Sequence, residues 1–149
     1  MQTAVLKELP SNSEQEKEDA ISSRSLRVLI VDDNEALTKT LGWMIEMFGH
    51  EVRAAKDGES GLVMARSFIP DVMLLDIGLP GMSGYELCRG IRKEPGLERS
   101  YVIAQTGWDR PEHREMIKNA GFDEHLVKPV AMEKMEEIFQ RIQNRTSEA

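Results

Sequence analysis

Short strand-like runs alternate with longer segments of helical periodicity along most of the chain. The runs are LRVLIV, EVRAA, VMLLD, YVIAQ and HLV. They have the length of strands, and the β-branched residues in most of them favour strands buried in a sheet. Between the runs, apolar residues recur every three to four positions, which is typical of amphipathic helices. The pattern therefore predicts five strands that alternate with five helices.

Capping and helix-breaking residues mark where the helices begin and end. Asn34 is suited to cap the first helix, and Gly49 follows its last apolar position. The second helix is expected between Asp57 and Ile69, because Pro70 cannot continue it. The later helices are expected from about residue 83, from about residue 109 and after residue 127.

Strands that alternate with helices form a parallel sheet, because parallel strands need crossover connections and helices usually supply them. The carboxyl ends of such strands meet at one edge, where ligands bind in open α/β sheets. The chemically interesting residues at those ends are Asp32, Asp33, Asp76, Thr106 and Lys128. The sequence therefore predicts a polar site built from the first, third, fourth and fifth strands.

These residue types form a coherent set if they converge. Three carboxylates would bind a hard divalent cation such as Mg²⁺ through oxygen. The hydroxyl of Thr106 and the ammonium of Lys128 are suited to phosphate oxygens. Asp76 is the natural nucleophile, because it stands alone at a strand end before the glycine-rich segment IGLPGMSG.

Composition narrows the class of protein. The 149 residues are 40% hydrophobic and 30% charged, which fits one globular domain. Nineteen basic against 26 acidic residues give a net charge of -7, which argues against direct nucleic-acid binding. The single cysteine, Cys88, excludes an internal disulfide and is expected in the core. With no apolar run long enough for a membrane span, we expect a soluble, cytoplasmic protein without a membrane partner.

Four motifs in this order and spacing, IVDDNE, LLDIGLPGMSGYEL, AQTGW and HLVKP, resemble the receiver domain of two-component response regulators. The resemblance extends from about Leu26 to Gln143. It implies a flavodoxin-like (βα)5 sandwich, a five-stranded parallel sheet in order 2-1-3-4-5 with helices on both faces. The second and third motifs look most like receivers joined to hybrid histidine kinases.

The resemblance implies that Asp76 accepts a phosphoryl group from a phosphohistidine on a sensor histidine kinase or a histidine phosphotransfer protein. Asp33 would bind Mg²⁺ directly and Asp32 mainly through water. The Asp76 carboxylate and the backbone carbonyl of Gly78 would complete the protein ligands. The domain would not be an enzyme, but it would assist its own phosphorylation and dephosphorylation.

Further roles follow from the same resemblance. Thr106 and Lys128 would contact the phosphoryl group, and the Lys128 to Pro129 peptide bond would be cis. Movement of Thr106 would shift the surface of the fourth helix, fifth strand and fifth helix for a downstream protein partner or a phosphorelay. His125 stands where many receivers have Tyr or Phe, so it is either the switch residue or a partly exposed strand-end histidine.

Several other residues carry two interpretations each. Trp108 and Gly78 occupy positions that influence water access to the phosphoryl group in this family, although Trp108 could equally anchor its loop. The strip that Trp43 and Met47 form with Thr40 either packs on a neighbouring helix or binds a partner, and packing is the expected interpretation. His50 and His113 are expected at the surface.

The domain boundaries follow from composition and the motifs. Residues 1–25 include SNSEQEKEDAISSRS and are predicted to form a flexible N-terminal arm. The receiver domain is placed at 26–145, with a tail at 146–149. Because only 21 residues follow Lys128, no attached output module is expected.

Two other classes of protein remain open. A metal-dependent aspartyl phosphatase would usually place its nucleophile in a DxD motif after the first strand, whereas Asp32 and Asp33 are adjacent. A phosphorylation-independent binding module with this fold would have no need for the complete set of acids, hydroxyl and lysine.

Overall fold

The computed structural model describes residues 24–107 and 111–148. Its strands are β1 (Arg27–Val31), β2 (Glu51–Ala55), β3 (Val72–Asp76), β4 (Tyr101–Thr106) and β5 (Glu124–Val127). Its helices are α1 (Glu35–Met47), α2 (Gly58–Phe68), α3 (Gly84–Lys93), α4 (Pro111–Ala120) and α5 (Met132–Glu148). The predicted alternation is confirmed across the described residues. α5 runs past residue 145, where the sequence placed the end of the domain.

The five strands form one parallel sheet in the order β2-β1-β3-β4-β5. The predicted flavodoxin-like order is therefore confirmed. The register pairs Asp76 of β3 with Gln105 of β4, and Thr106 of β4 with Val127 of β5. The carboxyl ends of β1, β3, β4 and β5 consequently meet at one edge of the sheet.

Successive residues of the strands point into two separate cores. In β1, Val28 and Ile30 pack in the core that α1 and α5 cover, while Leu29 and Val31 pack in the core that α2, α3 and α4 cover. This alternation is the period of two that a strand imposes. Because both faces are apolar, the register cannot slip by one residue without moving every side chain into the other core.

Local sequence signals place the helix starts. The side chains of Asn34, Asp57 and Ser83 accept hydrogen bonds from the backbone N–H groups of residues in the first turns of α1, α2 and α3. Ser83 also forms a capping box with Glu86, in which each side chain accepts from the other's backbone N–H. These caps fix where each helix leaves the sheet, directly above the strand ends.

Burial agrees with the sequence for Cys88, which is fully buried as predicted. It disagrees for Trp43 and Met47, which are 66% and 73% exposed, so the expected packing on a neighbouring helix is wrong. Their strip faces away from the sheet because the core side of α1 is already occupied by Leu41 and Ile45.

The surface position expected for His50 is also wrong. His50 is only 6% exposed, and its Nδ1 accepts the backbone N–H of Leu26 at 3.1 Å. The ring lies 4.9 Å from that of Phe139 in α5. A histidine just before a strand lies outside any apolar period, so its burial has no signal in the sequence. His113 is half-buried.

Within the described ranges, no helix is both long and apolar enough to cross a bilayer.

Candidate functional site

The ends of β1 and β3 bring three carboxylates together. Asp32, Asp33 and Asp76 each offer an oxygen, and these atoms all lie within 4.8 Å of one another. The three residues differ in burial: Asp32 is buried, Asp76 half-buried and Asp33 exposed. The group is therefore a graded pocket that opens to solvent at Asp33.

Lys128, just after β5, reaches across the sheet edge to this pocket. Its Nζ lies 2.8 Å from Oδ2 of Asp32 and 3.4 Å from Oδ2 of Asp76. Burial lowers the pKa of Lys128, but the hydrogen bond and charge of Asp32, together with those of Asp76, outweigh it and leave the pKa above its usual value. Lys128 is therefore a fixed positive charge at neutral pH.

Backbone N–H groups hold one oxygen of Asp32 and one oxygen of Asp76. The N–H of Asn34 donates to Oδ1 of Asp32 at 2.9 Å, and the N–H of Gly78 donates to Oδ1 of Asp76 at 2.9 Å. Both oxygens of Asp32 are thus engaged, one by Asn34 and the other by Lys128. Asp76 keeps Oδ2 facing the lysine at a longer distance.

Thr106 closes β4 beside this group and is 1% exposed. Its carbonyl accepts the N–H of Lys128 at 2.8 Å, and the Lys128–Pro129 peptide bond is cis. His125 is half-buried and lies in register with Ala104 of β4. Because side chains alternate along a strand, Thr106 and His125 both project toward the face that α2, α3 and α4 cover.

Gly78 and Trp108 are the two residues that the sequence connects with water access. A Cβ added at Gly78 would lie 3.6 Å from Oδ1 of Asp76, an ordinary contact distance. Trp108 lies outside the described residues.

Sequence reasoning missed the importance of Gly84, the first residue of α3. A Cβ at this position would lie 2.5 Å from the carbonyl oxygen of Asp76 and 2.6 Å from Cα of Ile77. Only glycine lets α3 start this close to the end of β3. The signal available in the sequence was the second glycine of GMSG, directly after the capping serine.

Gln105 is also absent from the predicted site, because the run YVIAQ predicts only a strand. It is fully buried, and neither its Oε1 nor its Nε2 has a hydrogen-bond partner among the described residues. Its register with Asp76 puts the two side chains on the same face of the sheet, the face covered by α1 and α5. An unpaired buried amide therefore lies next to the acidic pocket.

The fold and the acidic group agree with the family that the sequence motifs indicate. The model of the response regulator receiver domain matches residues 28–140. The chain therefore belongs to the receiver-domain family of two-component response regulators. Receiver domains are regulatory rather than catalytic, and the acidic group of Asp32, Asp33 and Asp76 fits the phosphorylation site of such a domain.

Curated relatives include both short and long proteins. Protein PilH from Pseudomonas aeruginosa is 36% identical over 104 residues, which cover 70% of this chain and 86% of PilH. Response regulator PleD from Caulobacter vibrioides is 35% identical over 106 residues, or 71% of this chain and 23% of PleD. A gliding motility regulatory protein from Myxococcus xanthus is 34% identical over 73% of this chain, and the match spans 14% of that protein. The chain thus spans less than a quarter of the last two.

Solved structures show the same architecture. Chemotaxis protein CheY4 from Vibrio cholerae superposes with a TM-score of 0.75 at 28% identity, over 79% of this chain and 98% of CheY4. The receiver domain of the sensor histidine kinase PA1611 from Pseudomonas aeruginosa superposes with a TM-score of 0.74 at 28% identity, over 80% of this chain and 98% of that domain. The latter structure holds a magnesium ion in its active site cleft.

Proposed function

We propose that this chain is a phosphoacceptor, in which Asp76 takes a phosphoryl group from a phosphohistidine on a sensor histidine kinase or a histidine phosphotransfer protein. The observation that carries the proposal is the environment of the Asp76 carboxylate. One oxygen accepts the N–H of Gly78, and the other faces the Lys128 ammonium 3.4 Å away. The carboxylate is therefore oriented for attack and lies beside a positive charge.

The transfer is an in-line displacement. A carboxylate oxygen of Asp76 forms a bond to phosphorus while the bond from phosphorus to the partner's imidazole nitrogen breaks. The imidazole leaves with the electron pair and takes up a proton, and Asp76 becomes an acyl phosphate. The contribution of the protein is to position the groups and neutralise charge, by which Lys128 assists both this step and the later hydrolysis.

The donor set fits Mg²⁺, which would supply further neutralisation of the phosphoryl charge when bound. Asp33 is exposed and suited to bind the ion directly. Asp32 is suited to act through water, because Asn34 and Lys128 already engage both of its oxygens. The carboxylate of Asp76 and the carbonyl of Gly78 complete the proposed ligands.

Thr106 and Lys128 are proposed to hold the transferred group, Thr106 through its hydroxyl and Lys128 by moving from Asp32 toward a phosphoryl oxygen. The shift of Thr106 would alter the packing around His125, which projects to the same side of the sheet. The surface formed by α4, β5 and α5 would then change its affinity for a downstream protein or relay partner. In this proposal His125 is the switch residue.

Several finer assignments belong to the same proposal. Gly78 and Trp108 would set how readily water reaches the acyl phosphate. The receiver would occupy residues 26–145, between an arm at 1–25 and a tail at 146–149, and would work in the cytoplasm.

A phosphatase or a phosphorylation-independent module finds less support, because a fixed lysine joins two carboxylates from separate strands.

Small-molecule phosphodonors test the proposal directly. The protein is incubated with acetyl phosphate and Mg²⁺, and intact mass is followed for the wild type and for Asp76→Ala. We expect a phosphate adduct in the wild type and none in the variant. Continuous turnover of an external phosphoester would instead identify a phosphatase, and a wild type that forms neither an adduct nor a beryllofluoride complex would identify a binding module.

A further inference from the structure

A cleft of about 650 Å³ lies at the opposite end of the molecule from the acidic pocket. Its walls include residues that begin the strands or immediately precede them: Arg27 at β1, Asp71 before β3, Tyr101 at β4 and Asp123 before β5. These are the amino ends of the strands. The strand β3, which has five residues and is about 17 Å long, separates the cleft from Asp76.

The cleft is basic in an otherwise acidic protein. Five arginines line it, namely Arg24, Arg27, Arg92, Arg99 and Arg145. The acids in the lining are Asp71, Glu98 and Asp123, so five positive charges face three negative ones. The whole chain has a net charge of -7. A concave surface with a local excess of positive charge attracts anionic groups.

Not all of these arginines are engaged within the fold. Arg92 is engaged: it donates hydrogen bonds to the carbonyls of Ser100 and Gly121, and it forms an ion pair with Asp123 at 2.7 Å. Arg24 and Arg99 are exposed and form no ion pair with any residue in 24–107 or 111–148.

Arg145 is exposed, and its guanidinium carbon lies 5.3 Å from the centre of the Tyr101 ring. Arg24, Arg99 and Arg145 therefore supply three exposed guanidinium groups that can donate hydrogen bonds to a carboxylate.

The chain itself carries an acidic segment that lies a few residues before Arg24 in the sequence. Residues 14–19 read EQEKED, four acids and one lysine. The carbonyl of Arg24 accepts the side-chain N–H of Gln143 at 2.6 Å, which holds the chain at the wall of the cleft. Five to ten residues of extended chain span about 18 to 35 Å, so residues 14–19 stay within that distance of Arg24. A tether of this length gives an effective concentration in the millimolar range.

We propose that residues 14–19 dock in this basic cleft, with their carboxylates paired to the guanidinium groups of Arg24, Arg99 and Arg145. The occupant is thus a segment of the same chain, and the cleft is withheld from acidic segments of other proteins while the segment is bound. Exposed ion pairs contribute about 0.2 to 1 kcal/mol each and weaken in salt, so docking depends on several pairs and on the tether. It requires no phosphorylation of Asp76 and is independent of the proposed function.

The test uses the full chain with a nitroxide at position 13, introduced by Ser13→Cys. The natural Cys88 is fully buried, so the added thiol is the accessible one. Paramagnetic broadening is measured at the backbone amides of Gly96, Glu98 and Ser100 in isotope-labelled protein. The comparison variant keeps the same tether but carries Glu14→Gln, Glu16→Gln, Glu18→Gln and Asp19→Asn.

We expect broadening at the cleft to fall at least about threefold in the neutralised variant, the equivalent of one good surface ion pair, and to fall in high salt as well. A matched control neutralises four exposed acids elsewhere, with Glu46→Gln, Glu115→Gln, Glu133→Gln and Glu136→Gln. This control should leave the broadening unchanged. A substitution in the cleft itself, Arg99→Glu, should reduce the broadening as neutralising the acidic segment does.

Three results would overturn the proposal. Equal broadening in the charged and neutralised segments would mean that the tether alone brings the label near. Broadening centred on Trp43 and Met47 would mean that the apolar part of the N-terminal segment covers α1 instead. Broadening in a mixture of spin-labelled protein and separate isotope-labelled protein would identify a second copy as the partner.

Discussion

At the scale of the residue, the two adjacent aspartates after β1 have different environments. Asp32 is buried and both of its oxygens are engaged, one by the N–H of Asn34 and one by Lys128. Asp33 is exposed and faces the open side of the pocket. Lys128 offsets the buried charge of Asp32, which would otherwise be costly in this position. Like charges are tolerated there because the lysine supplies the counter-charge.

This difference predicts unequal effects on Mg²⁺ affinity. We expect Asp33→Ala to weaken Mg²⁺ binding on the order of tenfold or more, because it removes a carboxylate that is proposed to bind the ion directly. Asp32→Ala should weaken binding less, since that carboxylate is proposed to act through water. Calorimetric titration of each variant with Mg²⁺ measures the two losses. Equal or reversed losses would contradict the assigned roles.

Replacing the buried polar side chain of Gln105 with an apolar one should not reduce the stability of the protein. Its buried amide has no partner among the described residues, and an unsatisfied buried amide costs about 1 to 3 kcal/mol. We therefore expect Gln105→Leu, which has similar volume, to leave the free energy of unfolding unchanged or raise it by about 1 kcal/mol. Urea unfolding provides the measurement.

The matched control is Gln105→Glu, which has almost the same shape but adds a charge next to Asp76 and should destabilise the protein. A loss of stability in Gln105→Leu comparable to that of Gln105→Glu would show that the amide has a partner in solution.

At the scale of the element, the site depends on how closely α3 approaches β3. Ser83 caps the helix, and the backbone N–H of Gly84 donates to the carbonyl of Ile77 at 3.3 Å. The loop that contains Gly78 is enclosed between this helix start and Asp76. The position of Asp76, the proposed phosphoacceptor, is therefore tied to the N-terminus of α3.

Gly84→Ala should separate the two elements. Its Cβ would meet backbone atoms of Asp76 and Ile77, which cannot move as a flexible side chain can. We expect a loss of about 1 to 3 kcal/mol in unfolding free energy and slower phosphorylation of Asp76 by acetyl phosphate. The control on the same helix is Gly90→Ala, where an added Cβ meets nothing within 4 Å.

Gly90→Ala should stabilise α3 by up to about 1 kcal/mol, because alanine is the better helix former. If both variants shift the urea midpoint in the same direction, close approach at Gly84 is not what requires glycine there.

At the scale of the whole molecule, one buried histidine joins the start of β1 to α5. His50 accepts the N–H of Leu26 and packs beside Phe139. Burial lowers the pKa of His50 from its usual 6.5, and the nearby Asp71 offsets this only in part. The fold therefore favours the neutral ring.

Global stability should consequently fall in mild acid. A histidine whose folded pKa is lowered contributes stability that is present above about pH 6.5 and is lost as pH falls through the folded pKa. His50→Asn keeps an acceptor for Leu26 and cannot ionise. We expect the wild type to lose more unfolding free energy than this variant when the pH falls from 7.5 to about 5, as measured by urea unfolding. A difference that does not change with pH would mean that His50 does not titrate on unfolding.

The sequence alone predicted the alternation of strands and helices, the family, and the residues at the strand ends. It could do so because buried strands, amphipathic helices and capping residues leave periodic or local signals, and because the four motifs keep their spacing. Residues such as Cys88, which lie within a periodic apolar face, were assigned correctly for the same reason.

Only the tertiary structure decided features that depend on distant parts of the chain. The resemblance already implied different roles for Asp32 and Asp33, but the engagement of both Asp32 oxygens depended on Lys128, which follows β5. The need for glycine at position 84 depended on the backbone at the end of β3. The burial of His50 depended on α5, and the exposure of Trp43 depended on which face of α1 the sheet had already filled. Local periodicity determines which elements form, whereas packing between elements determines which of their atoms meet.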